Sequence, residues 1–192
     1  MKYRTIVADP PWRYRSSDIL TRGWHRTASV ESGKKAAHYT TLTNAEIAAL
    51  PVGDLADPAY SMLFLWTTNP RLYGERDGTC SPREIAEAWG FEYVTLLTWV
   101  KTGPPGLGFY FRGHTEHVLF CKRGDVRIPP ALRESNVVVA PRRGHSEKPD
   151  AFYDLVERVG QEPRIDLFSR RARLGWDTWG DQALHGMEAI PA

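Results

Sequence analysis

Asp9-Pro10-Pro11-Trp12 sets a carboxylate, backbone carbonyls and an indole within four residues. Neither proline has an N–H and each fixes φ, so the segment is stiff and belongs to no helix or strand interior. Asp9 and Pro10 take the restricted conformation that precedes a proline. Acceptors and a flat apolar plate held rigidly together suit a planar group with N–H donors on its edge, and a nucleobase with an exocyclic amine is such a group. The same residues also read as a plain turn, with Asp9 capping a helix and Trp12 filling the core. The tetrapeptide alone does not choose between these readings.

The next chemistry-bearing stretch is 13–35, which carries Arg13, Arg15, Arg22, His25, Arg26, Lys34 and Lys35 without hydrophobic periodicity. It is either a solvated surface loop or a basic flap that meets phosphates. Several devices are missing. There is no G-x-G-x-x-G after a strand, no Walker loop and no Gly-x-Ser-x-Gly elbow, and the six histidines form no metal-ligand pattern. A dinucleotide dehydrogenase and an NTPase are therefore disfavoured.

Elements able to position the hook are legible along the chain. Thr5-Ile6-Val7-Ala8 and the run Met62-Leu63-Phe64-Leu65-Trp66 read as strands covered on both faces. Residues 93–101, 116–121, 136–140 and 164–168 read as further strands. Thr43-Asn44-Ala45-Glu46 and Ser81-Pro82-Arg83-Glu84 are capping boxes that open helices. Pro149 opens a third helix, with Phe152, Leu155, Val156 and Val159 on one face and Gly160 at its end. The segment 175–180 reads as a turn-rich aromatic tail. Buried strands alternating with amphipathic helices predict a mostly parallel α/β sheet, which binds ligands at the carboxyl ends of its strands, at the switch point. The hook lies at one such end and residue 170 just past another.

The 192 residues suffice for one domain with a full core. A net charge of +2 permits a polyanionic partner without announcing one. Cys80 and Cys121 are far apart and lack metal-ligand neighbours, which fits a reducing compartment. No run is long enough to span a membrane and no signal-peptide pattern opens the chain, so a cytoplasmic protein is expected.

Beyond the tetrapeptide, the chain shows in order His38-Tyr39-Thr40-Thr41-Leu42-Thr43, Leu63-Phe64-Leu65-Trp66, Ala88-Trp89-Gly90-Phe91 and Thr98-Trp99-Val100-Lys101-Thr102. There follow Gly113-His114-Thr115-Glu116-His117, His145-Ser146-Glu147-Lys148-Pro149-Asp150, Asp166-Leu167-Phe168-Ser169-Arg170, Gly175-Trp176-Asp177 and Trp179-Gly180-Asp181-Gln182. In these blocks the chain resembles the MT-A70 family of S-adenosylmethionine-dependent N6-adenine methyltransferases, of the small bacterial and phage type, from residue 3 to about 182.

The resemblance implies a Rossmann-like class I methyltransferase fold, circularly permuted, with a mostly parallel central sheet and helices on both faces. It implies a single methyltransferase domain over 1–192, with a core of about 3–182, candidate substrate loops at 13–37 and 102–115, and a tail at 183–192. It implies methyl transfer from S-adenosylmethionine to N6 of adenine, catalysed by Asp9, Pro10, Pro11 and Trp12. Asp9, Pro10, Lys148, Asp166, Phe168, Ser169, Arg170, Asp181 and Gln182 would bind the cofactor, with Lys148 near its carboxylate and Asp181 and Gln182 at the ribose. Trp12 and Tyr39 would stack on the target adenine, with Lys101, Glu116 and His117 as further substrate candidates. Asp181 stands where the family often has Asn. Arg142, Arg143, Arg171 and Arg173 read equally as phosphate contacts or as plain surface.

The small members are similar to DNA methyltransferases, so the expected partner is DNA, single-stranded or with a flipped-out adenine. The same chemistry on RNA, cytosine N4 methylation, or a silent nucleic-acid-binding subunit are the alternatives. The intact tetrapeptide speaks against the last, and a homodimer or partner subunit stays open. Sequence discrimination would fall to 13–35, to 102–113 or to a partner.

Overall fold

The computed structural model describes residues 1–13, 41–74, 80–106, 110–142, 147–169 and 171–180. Within them, seven strands form one sheet: β1 Thr5–Ala8, β2 Tyr60–Thr67, β3 Glu92–Thr102, β4 Thr115–Gly124, β5 Val137–Pro141, β6 Arg164–Leu167 and β7 Asp177–Trp179. Their order is β5-β3-β4-β2-β1-β6-β7. β1 pairs in parallel with β2 on one side and β6 on the other, so the order reverses at the β1–β6 crevice. β4 alone runs against its neighbours, β2 and β3.

β1 and β2 are apolar on both faces because both faces are covered. All four residues of β1 are buried, as are seven of the eight in β2. On one face lie helices α1 (Asn44–Ala48), α2 (Val52–Leu55) and α3 (Pro82–Ala88). They pack Ile47, Val52, Leu55, Ile85 and Ala86 onto Ile6, Ala8, Leu63, Leu65 and Leu119. On the other face α4 (Asp150–Val159) packs Phe152, Leu155 and Val156 onto Val7, Met62, Phe64 and Trp66. Each such fully buried side chain contributes about 1.5–3 kcal/mol relative to exposure.

The helix starts form as their sequences dictate. Thr43 and Ser81 accept the N–H groups of Glu46 and Glu84, whose carboxylates reach back to the cap N–H groups. Gly90 follows α3 at φ +82°, and Gly160 ends α4. Two elements differ from expectation. Residues 177–179 of the turn-rich tail pair with β6 as an edge strand, too short to carry an alternation signal. Val52–Leu55 is a one-turn helix behind Pro51, too short to show periodicity. Among the described residues no helix is long and apolar enough to cross a membrane.

Candidate active site

The hook is held from three sides. The Trp12 N–H donates to the Pro10 carbonyl at 2.8 Å, closing a tight turn over Pro11. Leu42 N–H donates to the Pro11 carbonyl and Arg13 N–H to the Leu42 carbonyl, both at 2.9 Å, so the segment that caps α1 clamps the hook. The Asp9 N–H donates to the Leu167 carbonyl of β6 at 3.3 Å. A carbonyl has two lone pairs, so Pro10 can still accept one further donor. Trp12 departs from the expected open plate. It is 6% exposed, sits in the core, and donates its ring N–H to the Trp66 carbonyl at 3.2 Å. Its indole is a wall of the site that braces the hook from behind.

Asp9 projects toward the α4 face and enters a chain of alternating charges. Lys148 Nζ lies 2.9 Å from Asp9 Oδ2 and 3.0 Å from Glu116 Oε2, and Glu116 also binds Lys101. These residues come from the end of β1, the residue pair before α4, the start of β4 and the end of β3. Because β4 is reversed, its first residues meet the carboxyl ends of the other strands, which is how Glu116 reaches Asp9's neighbourhood. Each lysine also lies over an indole: Lys148 Nζ is 4.7 Å from the Trp66 ring centre and Lys101 Nζ 4.8 Å from that of Trp99. The two indoles meet edge to face at 6.1 Å. Burial works against the Lys148 charge, but Asp9 and Glu116 outweigh it and raise its pKa above the ordinary value. Burial likewise opposes the Glu116 charge, and the two lysines overcome it and lower its pKa. Lys148 is thus a compensated cation paired with two carboxylates.

Among the described residues, the cofactor candidates on β6 stand on the other side of β1 from β2. Asp166 of β6 is 4% exposed and accepts the Tyr153 hydroxyl at 2.8 Å. Burial pushes its pKa up to about 7; Asp9 adds to the rise, while hydrogen bonds from Tyr153 and Ser169 oppose it. Beyond it Phe168 takes φ +63°, a rare conformation for a bulky side chain, and packs edge to face on Trp179 at 5.3 Å. Ser169 N–H donates to the Trp179 carbonyl at 3.2 Å. Gly180 passes so close that a Cβ there would meet the Ser169 carbonyl oxygen at 2.7 Å. This tight turn beside a buried carboxylate fits S-adenosylmethionine, whose sulfonium and ammonium charges would favour the ionised form of Asp166.

The remaining sequence candidates divide. His117 points to the opposite face from Glu116, with Thr98 Oγ1 3.1 Å from its Nδ1 and Asn69 Oδ1 2.7 Å from its Nε2. Burial lowers its pKa, and it ties β3, β4 and the turn after β2 together without joining the charge chain. Arg171 pairs with Glu147 and Asp150, and Arg173 pairs with Asp150 and stacks on Tyr153 at 3.9 Å. Both secure the loop after β6 to the start of α4. Arg142 donates to the Gly113 carbonyl. Tyr39, Arg143, Arg170, Asp181 and Gln182 lie outside the described residues. Tyr153, Trp66 and Trp99 escaped the sequence reading as site residues. Among the described residues no His, Cys, Asp and Glu cluster could hold a metal ion.

A reversed strand inside an otherwise parallel sheet, with acidic residues at the ends of two central strands on the switch crevice, defines a Rossmann-like methyltransferase fold. The family model described as MT-A70 matches residues 3–182, and the chain belongs to that family. The type II methyltransferase M.MunI of Mycoplasma sp is 34% identical over 191 residues, covering 93% of this chain and 77% of that protein. The N6-methyladenosine RNA methyltransferase MTA1 of Cryphonectria parasitica is 30% identical, covering 93% of this chain and 51% of its own length. The human N(6)-adenosine-methyltransferase catalytic subunit METTL3 is 29% identical, covering 94% of this chain and 28% of its own length. The chain therefore spans about half or less of the two latter relatives.

Proposed function

We propose that this protein transfers a methyl group from S-adenosylmethionine to N6 of adenine in DNA. The observation that carries this reading is the Asp9 carboxylate, fixed by Lys148 at the end of β1 and facing the Asp166 crevice. The higher identity to a type II methyltransferase, 34% over most of that protein, favours DNA over RNA. The RNA reading rests on the relatives at 30% and 29%.

The adenine amine is a poor nucleophile because its lone pair is delocalised into the ring. Asp9 and the open lone pair of the Pro10 carbonyl accept its two hydrogens and turn the nitrogen toward tetrahedral geometry. Each hydrogen bond to a charged acceptor contributes about 1.5–3 kcal/mol, more if it strengthens in the transition state. The bound cofactor supplies a methyl already activated by its sulfonium. Asp166 and the 168–169 turn hold that donor, and the hook fixes the line of attack, where positioning does much of the work. Lys148, charged well above neutral pH, keeps Asp9 an acceptor, and the departing proton passes to Asp9 or directly to water. In a duplex the adenine must leave the stack, at a cost of a few kcal/mol.

Incubation of the purified protein with radiolabelled S-adenosylmethionine and matched single- and double-stranded DNA and RNA, followed by digestion to nucleosides, tests the proposal. Label in N6-methyladenine from DNA is expected. Label confined to RNA or to cytosine overturns the substrate, and transfer by Asp9→Ala at the wild-type rate overturns the chemistry. A binding subunit without activity would label nothing while still retaining the oligonucleotides.

A further inference from the structure

Three aromatic side chains are exposed among the described residues: Tyr73 at 92%, Tyr110 at 85% and Phe111 at 91%. All three sit on loops at one edge of the sheet, where β1 delivers Asp9. Tyr73 follows β2, and Tyr110 and Phe111 lie between β3 and β4. The two loops are joined, since Asn69 donates to Thr115 Oγ1 at 3.1 Å and meets His117 at 2.7 Å.

The described residues at the root of the β3–β4 loop are secured by hydrogen bonds. Gly106 N–H and Arg142 Nη2 both donate to the Gly113 carbonyl, at 2.9 and 3.1 Å, and Lys101 N–H donates to the His114 carbonyl at 2.7 Å. A Cβ on Gly106 would meet Arg142 Nη2 at 2.8 Å, so the root is closely packed. Arg112 adjoins the aromatics in the chain and Arg142 sits at the loop root against Gly113; both are exposed and form no ion pair with a carboxylate among the described residues. The cofactor crevice lies to the other side of β1, toward β6 and β7, which leaves the β2–β4–β3 side of the edge for the substrate.

Exposed rings beside uncompensated guanidinium groups suit a chain of stacked bases carrying phosphates. We propose that Tyr110 and Phe111, with Tyr73 beside them, form a stacking platform for the nucleotides that flank the reacting adenine, and that Arg112 and Arg142 meet their phosphates. This rests on the nucleic-acid substrate of the preceding reading and adds where the strand runs. The platform grips any sequence, because every base has a π-face, while Asp9 selects the atom.

Fluorescence anisotropy with a labelled single-stranded oligodeoxynucleotide tests it, alongside calorimetry for S-adenosylmethionine. A Tyr110→Ala/Phe111→Ala double variant is expected to lose about tenfold or more in oligonucleotide affinity, with cofactor affinity unchanged. Tyr110→Phe/Phe111→Trp, which keeps two rings, is expected to bind as wild type. Arg112→Ala is expected to lower the slope of log affinity against log salt by about one. Equal affinity of the double variant and wild type overturns the platform. So does unchanged affinity with a shift from dimer to monomer in sedimentation, which would make the loop a protein contact. A wild-type protein that binds cofactor but neither DNA nor RNA defeats the substrate reading itself, a result distinct from failure of the platform alone.

Discussion

Lys148 Nζ stands between Asp9 Oδ2 at 2.9 Å and Glu116 Oε2 at 3.0 Å, so one ammonium group joins the proposed catalytic carboxylate to the reversed strand. Lys148→Met keeps the stem over Trp66 and removes the charge. Removing one partner of a buried ion pair costs about 3–5 kcal/mol because the others stay buried. The variant is expected to melt lower and to lose about a hundredfold in kcat, a loss equivalent to two factors of ten at about 1.4 kcal/mol each. Cofactor affinity by calorimetry is expected to fall less than kcat. A variant that loses cofactor binding and keeps kcat at saturation would make Lys148 a cofactor anchor instead.

Glu116 has a folded pKa below its ordinary 4.5, against the pull of burial and because Lys148 and Lys101 hold the charged form. Its contribution is present above 4.5 and is lost as pH falls through the folded value. Glu116→Gln is therefore expected to be less stable than wild type at neutral pH, and the gap is expected to close in acid. Denaturant midpoints measured across that range would show it; a gap constant with pH would not fit.

Asp166 behaves oppositely. Its folded pKa is raised from 3.8 to about 7, chiefly by burial, so the native state binds the extra proton between those values. Stability from this group is full below 3.8 and is lost as pH rises through about 7. Asp166→Asn is expected to remove that decline. A cation placed beside Asp166 favours the ionised form, so S-adenosylmethionine binding near pH 6 is expected to release up to about one proton in wild type and none in the variant. Because Asp166 is half protonated at about pH 7, the release there is bounded at about half a proton and approaches one only at lower pH. Calorimetry in buffers of different ionisation enthalpy counts the protons, and equal counts would sink the assignment.

Trp12→Phe removes the donor to the Trp66 carbonyl and leaves a buried acceptor without it, a cost of about 1–3 kcal/mol before any packing loss. A lowered urea midpoint is expected. Were the indole an open stacking plate, phenylalanine would preserve stability and chiefly raise the KM for nucleic acid.

Gly180→Ala sets a methyl 2.7 Å from the Ser169 carbonyl oxygen and 2.9 Å from the Phe168 carbonyl carbon. The 168–169 turn must shift. Weakened S-adenosylmethionine binding with a retained circular dichroism spectrum is expected.

The sequence makes Asp9 conspicuous because a stiff tetrapeptide after a buried strand is a local signal. It also shows β1, β2 and α4, whose apolar patterns are strong. It says less about Trp12, because an indole that walls a site and one that faces a ligand have the same letter. The reversal of β4 is illegible, since an antiparallel strand between buried neighbours has the composition of a parallel one. The meeting of Lys148 with Glu116 depends on that reversal and stays hidden with it. Tyr153 is hidden because Phe152, Leu155, Val156 and Val159 supply a complete apolar stripe without it. Lys148 and Glu116 entered the sequence reading through resemblance, and their contact is a product of the fold.

The pairing of residue 6 with residue 165 has a consequence for biogenesis. β1 leaves the ribosome well before β6, its neighbour on one side of the sheet, which lies far along the chain. Closing so long a loop is entropically costly and slow. The nascent chain therefore exposes the β6-facing edge of Ile6 and Val7 until β6 has been made. Asp9 and Asp166 come together only at that closing step, so a chain cut short before β6 would carry the whole hook without its neighbouring buried carboxylate.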